Sequence, residues 1–174
     1  MVQQIPWIER SFSFDFPLGL FPVILERLRG TTFRLEVMLR GINDEILSAR
    51  PEGKWSVKEQ VGHLCDLEDL WSSRVDDFLS GKEVLTPADM SNTRTHSARH
   101  GDESLVLLLK RFGAARSALV EKVAFADVET ASLTALHPRL QQPMRLVDSL
   151  YFAAEHDDHH LARIRQLISM KNFA

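Results

Sequence analysis

Among the seven histidines of this 174-residue chain, His63, His156 and His160 have the type and spacing to hold one metal ion. Neutral imidazole is the commonest protein metal ligand, and helix positions i and i+4 lie one turn apart on a single face. His156 and His160 form such a pair, and His63 belongs to a separate segment that can face it. Three imidazoles leave coordination positions for water or substrate, whereas purely structural zinc sites usually fill all four with side chains. The pattern points to metal-assisted chemistry without naming a substrate.

Helix geometry separates these histidines from the others. With about 100° per residue and Leu150 at zero, Leu161 falls at about 20° and Ile164 at about 320°, so the apolar stripe of the last segment centres on zero. His160 at about 280° and His156 at about 240° flank that stripe and suit a cleft, while His159 at about 180° takes the side expected to face water. His63 sits beside Leu67 and Leu70 at the edge of its own stripe. The alternative is that each is a partly buried histidine bonded to a neighbour, and spacing alone leaves both readings open. Glu68 and Asp157 project near apolar stripes, where an unpaired carboxylate is expensive. They either orient ligand histidines through the outer ring N–H, or pair with an arginine or an indole N–H of Trp55 or Trp71. Cys65 reads as a small packing residue, and His96, His100 and His137 fall in loops and receive no role.

Four amphipathic segments must position these residues. Leu20, Ile24, Leu28, Leu35, Leu39 and Ile42 mark a helix over 20–42, with a kink or break plausible at Gly30-Thr31-Thr32. Ser56 and Glu59 form a capping box that starts a second helix over 57–80. Residues 81–101 are rich in turn formers without period, a loop long enough to cover a site. Asp102 then caps a third helix with the stripe Leu105, Leu108, Leu109, Phe112, Leu119 and Val123. An irregular stretch over 126–143 precedes a fourth helix over about 145–169, and no segment shows sustained strand alternation. The expected architecture is an all-α four-helix bundle, one domain over 1–174, a design that builds metal sites between facing helices.

Composition excludes several classes. The formal charge of −3 and the lack of a basic cluster interleaved with aromatics argue against a nucleic-acid partner. The longest strongly apolar stretch, Leu105 to Leu109, is far short of the roughly 20 residues that span a bilayer. The single cysteine cannot form an internal disulfide, and the first twenty residues lack a signal pattern, so a cytoplasmic location is expected. No G-x-S-x-G elbow or phosphate-binding glycine loop occurs.

The run Trp55-Ser56-Val57-Lys58-Glu59-Gln60-Val61-Gly62-His63-Leu64-Cys65-Asp66-Leu67-Glu68, together with Glu155-His156-Asp157-Asp158-His159-His160-Leu161-Ala162-Arg163-Ile164, resembles the DinB-like or YfiT-like superfamily of metal-dependent proteins. The likeness runs from Phe14 through Leu167 and includes His137-Pro138. It implies a bundle of up-down-down-up type, often a homodimer, with one divalent metal held by His63, His156 and His160. Nickel or zinc is the expected ion, although imidazoles also accept iron, cobalt or manganese. The function implied is hydrolysis, or transfer of a low-molecular-weight thiol to a small electrophile. The alternative is a stress-response or ligand-binding module whose metal is structural. The N-terminal Trp7, Phe12, Phe14 and Phe16 offer apolar surface for a dimer, or rings that pack back on the chain's own helices.

Overall fold

Four long helices form where the apolar stripes place them, and two clusters of buried side chains fix their directions. The structure, a computed structural model, describes residues 3–171. The long helices are α1 (Phe21–Leu39), α3 (Val57–Leu79), α5 (Leu105–Val123) and α7 (Leu146–Lys171). Between them lie the short helices α2 (Asp44–Ser48), α4 (Thr93–Ser97) and α6 (Val128–Ser132), and a hairpin of β1 (Thr134–His137) and β2 (Gln142–Arg145). One cluster gathers Phe21, Ile24 and Leu28 of α1, Leu146, Val147 and Leu150 of α7, Trp71, Val75 and Phe78 of α3, and Leu119 and Val123 of α5. The other gathers Leu35 and Leu39, Leu161, Ile164 and Ile168, Val57, Val61 and Leu64, and Leu108 and Phe112. Thus α1 and α7 run from the first cluster to the second, while α3 and α5 run the opposite way. This is the up-down-down-up bundle, in which α1 and α3 each pack against both α5 and α7.

Local chemistry explains the helix ends. The Ser56 side chain accepts from Glu59 N at 3.2 Å and the Glu59 carboxylate accepts from Ser56 N at 2.8 Å, so the capping box starts α3 as expected. At the start of α7, the Asp148 carboxylate accepts from Arg145 N at 2.8 Å and pairs with the Arg145 guanidinium. α1 continues unbroken through Gly30-Thr31-Thr32 and ends before Gly41, whose φ of 74° turns the chain and leaves Ile42 outside the helix. Asp102 does not cap α5: it lies in a separate 3-10 turn, and the N-cap residue is Ser104.

The two segments expected to be irregular carry structure. Residues 81–101 contain α4, and residues 126–143 contain α6, β1 and the first half of β2. Strands of four residues are too short to show alternation, and their pairing is tertiary. Leu136 donates to Glu83 O at 2.8 Å and accepts from Leu85 N at 3.0 Å, tying the loop after α3 to the hairpin. The N-terminal aromatics pack against the chain's own core cluster, with the Trp7 ring 4.9 Å from that of Phe152 and the Phe12 ring 4.8 Å from it. Among the described residues, no helix is long and apolar enough to cross a membrane.

One buried ionic group touches all four long helices. Arg116 of α5, 2% exposed, donates to Glu68 of α3 at 2.5 Å, to Asp157 of α7 at 3.0 Å and to the Leu28 carbonyl of α1 at 3.3 Å. Thr31 of α1 also donates to Asp157 at 2.8 Å. Of the alternatives for Glu68 and Asp157, the structure realises the arginine pair, and neither carboxylate bonds a histidine of the expected site. Burial and the neighbouring Asp157 carboxylate push Glu68 up to about 6 despite its guanidinium partner. Replacing Arg116 by methionine strands two buried carboxylates, so urea denaturation is expected to show a loss of about 3–5 kcal/mol. A variant that also carries Glu68→Gln and Asp157→Asn is expected to recover part of it.

Candidate metal centre

His63 of α3 and His156 and His160 of α7 meet between the two helices, each no more than 7% exposed. One ring nitrogen from each lies within 4.8 Å of the others, and these three are a group able to hold a metal ion. His160 Nε2 and His156 Nε2 are 3.2 Å apart. Two nitrogens at the usual ~2.0–2.1 Å from one ion are roughly 3 Å apart, so this separation already suits a shared ion.

The outer faces of two rings are fixed by hydrogen bonds. His160 Nδ1 lies 2.6 Å from Gln60 Oε1, an acceptor one turn before His63 on α3. It must therefore carry the proton, leaving the Nε2 lone pair for a ligand bond. His63 Nδ1 lies 3.0 Å from Thr95 Oγ1, and that hydroxyl donates to Asp66 Oδ2 at 2.8 Å. The Thr95 hydroxyl proton is thereby committed to Asp66, so His63 Nδ1 is the donor and its Nε2 is free. His100 closes the chain, with Nε2 at 2.8 Å from Asp66 and Nδ1 at 2.8 Å from Glu103. Its ring lies directly on the backbone of α3 at Gly62, where any Cβ would overlap it.

Sequence reasoning missed these outer partners. Gln60 carried one legible signal, its position three residues before His63 on the same helix. Thr95 and His100 come from segments read as loop, and nothing in local pattern connects them to His63. His159, expected in water, is half-buried: Gln4 Nε2 donates to its Nδ1 at 3.0 Å and the Trp7 ring lies 5.7 Å from its own. The N-terminal segment folding over α7 covers it, a contact the helix wheel cannot see. His159 is not part of the three-histidine group. Cys65 is buried in the apolar core as expected, and burial pushes its thiol up to about 11.

Burial also keeps the cluster neutral. Desolvation lowers His63 to about 4 despite the nearby Asp66 carboxylate, and holds His156 and His160 well below their ordinary value, with repulsion from neighbouring histidines adding to it. Neutral imidazoles with inward lone pairs are the donor set that nickel, zinc, cobalt or iron accepts. The residues therefore fit a divalent ion.

The cluster forms one wall of a cavity of about 510 Å3. Trp7 of the N-terminal segment, Trp55, Trp71 of α3, Pro87 to Met90 of the loop after α3, and the turn of the hairpin are also among the lining residues. The 81–101 segment thus covers part of the site, joined by the N-terminus and the hairpin.

A helical bundle of this topology with three histidines converging from two helices defines a class of metal-site protein, and comparison with known proteins gives the family. The DinB superfamily profile matches residues 25–164, and the chain belongs to that superfamily. Its structure is similar to that of YfiT from Bacillus subtilis, with a TM-score of 0.82, 16% identity and 94% of each chain covered. YfiT is described as a probable metal-dependent hydrolase with an unusual four-helix bundle topology. No curated protein matches significantly in sequence.

His63→Ala, His156→Ala or His160→Ala is each expected to lower nickel or zinc affinity at least about tenfold, because two ligands remain. His159→Ala is expected to retain it. Elemental analysis after dialysis and calorimetric titration check both. Thr95→Val is expected to weaken binding about tenfold through the freed His63 ring.

Acid sensitivity follows from the same burial. In the metal-free protein His63 titrates at about 4, against 6.5 ordinarily. Between these values the unfolded chain binds more protons than the folded one, so stability falls as pH drops from about 6.5 toward about 4. The urea midpoint of metal-free protein is expected to be lower at pH 5 than at pH 7, with a smaller difference in His63→Gln.

Proposed function

We propose that the chain is a metal-dependent enzyme acting on a small electrophile in the cavity bordered by His63, His156 and His160. The nucleophile is water or a low-molecular-weight thiol. One observation carries this reading: three donors converge on the wall of a small-molecule-sized cavity, and among the described residues no fourth donor joins them. A structural site would be closed by a fourth side chain. A divalent ion held there, nickel or zinc by preference, would supply Lewis acidity to the nucleophile and the electrophile.

The chain's own residues supply the rest. Gln60 and Thr95 fix the ring planes of His160 and His63, so little reorganisation is needed on ligand capture. Trp7, Trp55 and Trp71 give the cavity an aromatic lining beside the histidines. His159 Nδ1 accepts from Gln4, which leaves its proton on Nε2 and makes it the lining residue suited to hand a proton to a leaving group.

Hydrolysis is supported by the shared fold with YfiT and its description. The thiol reading is favoured by the lining itself. Its one carboxylate, Asp89, is exposed at the rim and bonded to Ser91 and Thr93, so no buried carboxylate stands ready to deprotonate water. The two are separated in cobalt-substituted protein. A small thiol is expected to perturb the visible spectrum and to be consumed with an electrophile if it is the nucleophile, whereas ester or amide cleavage without thiol supports water. A spectrum indifferent to every thiol and small anion, with coordination closed by a fourth side chain, would instead indicate a structural metal.

A further inference from the structure

The cavity carries a second set of polar residues besides the histidine cluster. Among the described residues, four buried side-chain atoms have no hydrogen-bond partner: Trp71 Nε1, His137 Nε2, Arg139 Nη2 and His156 Nδ1. All four residues line this one cavity. Buried polar groups in native proteins are nearly always bonded, so their concentration here marks a place where a ligand completes the bonding.

Setting aside His156, which belongs to the cluster already described, the remaining three are donors. An indole N–H and a guanidinium N–H can only donate. His137 Nδ1 accepts from Leu140 N at 3.1 Å, which puts the ring proton on the orphaned Nε2. His137 is 2% exposed and Trp71 5%.

Charge has the same sign. Arg74 and Arg139 both line the cavity, and neither forms an ion pair among the described residues; the Asp77 charge reaches Arg74, but that carboxylate is paired with Lys82. Arg74 is 2% exposed and donates Nε to Thr86 O at 2.9 Å. Arg116, buried to the same degree, has two carboxylates. Desolvation lowers both Arg74 and Arg139, the former to about 10, yet both remain cationic at neutral pH. The Arg74 guanidinium lies 5.4 Å from the Trp71 ring and that of Arg139 lies 5.8 Å from the Phe152 ring. The Trp71 ring is 5.8 Å from that of His156, so the cationic residues and the histidine cluster share an aromatic wall.

We propose that this second set of residues binds an oxyanion, a carboxylate or phosphate carried on a small apolar body. Arg74, Arg139, His137 and Trp71 hold the anion, and the body lies along Phe152 and Leu70 toward the histidine cluster. As the anchor of a substrate this rests on the function proposed above; as a binding site it stands without the metal.

Benzoate, phenyl phosphate and the neutral isostere benzamide are titrated calorimetrically into the full chain, as purified and after chelation. At least one anion is expected to bind one per chain in both forms, about tenfold or more tighter than benzamide, with Arg139→Gln weakening it about tenfold. Should that variant fold poorly, the wild-type protein gives a second readout. The Trp71 indole N–H resonance, assigned with Trp71→Phe, is expected to shift with saturation. Equal binding of benzamide, no saturable binding below about 10 mM, or anion binding that leaves the Trp71 resonance and the Arg139→Gln affinity unchanged would overturn the proposal. Anion binding lost on chelation alone would make the anion a metal ligand, overturning the anion site while the metal function stands. Anion binding without metal uptake would sink the function proposed above and leave this site intact.

Discussion

The Arg116 guanidinium, buried between Glu68 and Asp157 and against the Leu28 carbonyl, is the constraint on which the rest of the bundle depends. A charge removed from water tolerates little displacement of its partners, because each lost bond leaves an uncompensated ion in a low-dielectric interior. Apolar packing between helices is less demanding of position, since a cluster of leucines can slide at modest cost. The ionic group therefore sets the axial register of α3, α5 and α7 against α1. Asp157 follows His156 directly and Glu68 lies five residues after His63, so the same register brings the histidines of the two helices together.

The site is assembled in layers from different parts of the chain. Long helices supply the three imidazoles and Gln60. The connection after α3 supplies Thr95 and His100, and the hairpin supplies His137 and Arg139. Gly62 permits this layering, because the His100 ring occupies the space a side chain would take on α3. The bundle provides rigidity and the connections provide chemistry, a common division in which function resides on loops held by a scaffold.

Two buried cationic or basic groupings in the molecule differ in how they are satisfied. At Arg116 charge and hydrogen bonds are compensated inside the protein, as expected for an element that holds the fold. Along the cavity, Trp71, His137 and Arg139 each present a donor with no internal acceptor, and Arg74 beside them bonds the Thr86 carbonyl rather than a carboxylate. That contrast distinguishes structural polarity from polarity directed at a ligand.

The bundle was legible in the sequence because each long helix carries its own apolar stripe, and a period of 3.6 residues is a local property. The Ser56 capping box and the i, i+4 relation of His156 to His160 are local too. Tertiary structure decided what depends on residues far apart in the chain. It selected Arg116 as the partner of Glu68 and Asp157, brought Thr95 and Gln60 to the histidine rings, covered His159 with the N-terminal segment and paired two four-residue strands into a hairpin. A hydrogen bond between positions 32 residues apart, such as His63 to Thr95, leaves no periodic trace in either segment. It exists only once the packed helices have brought the two together.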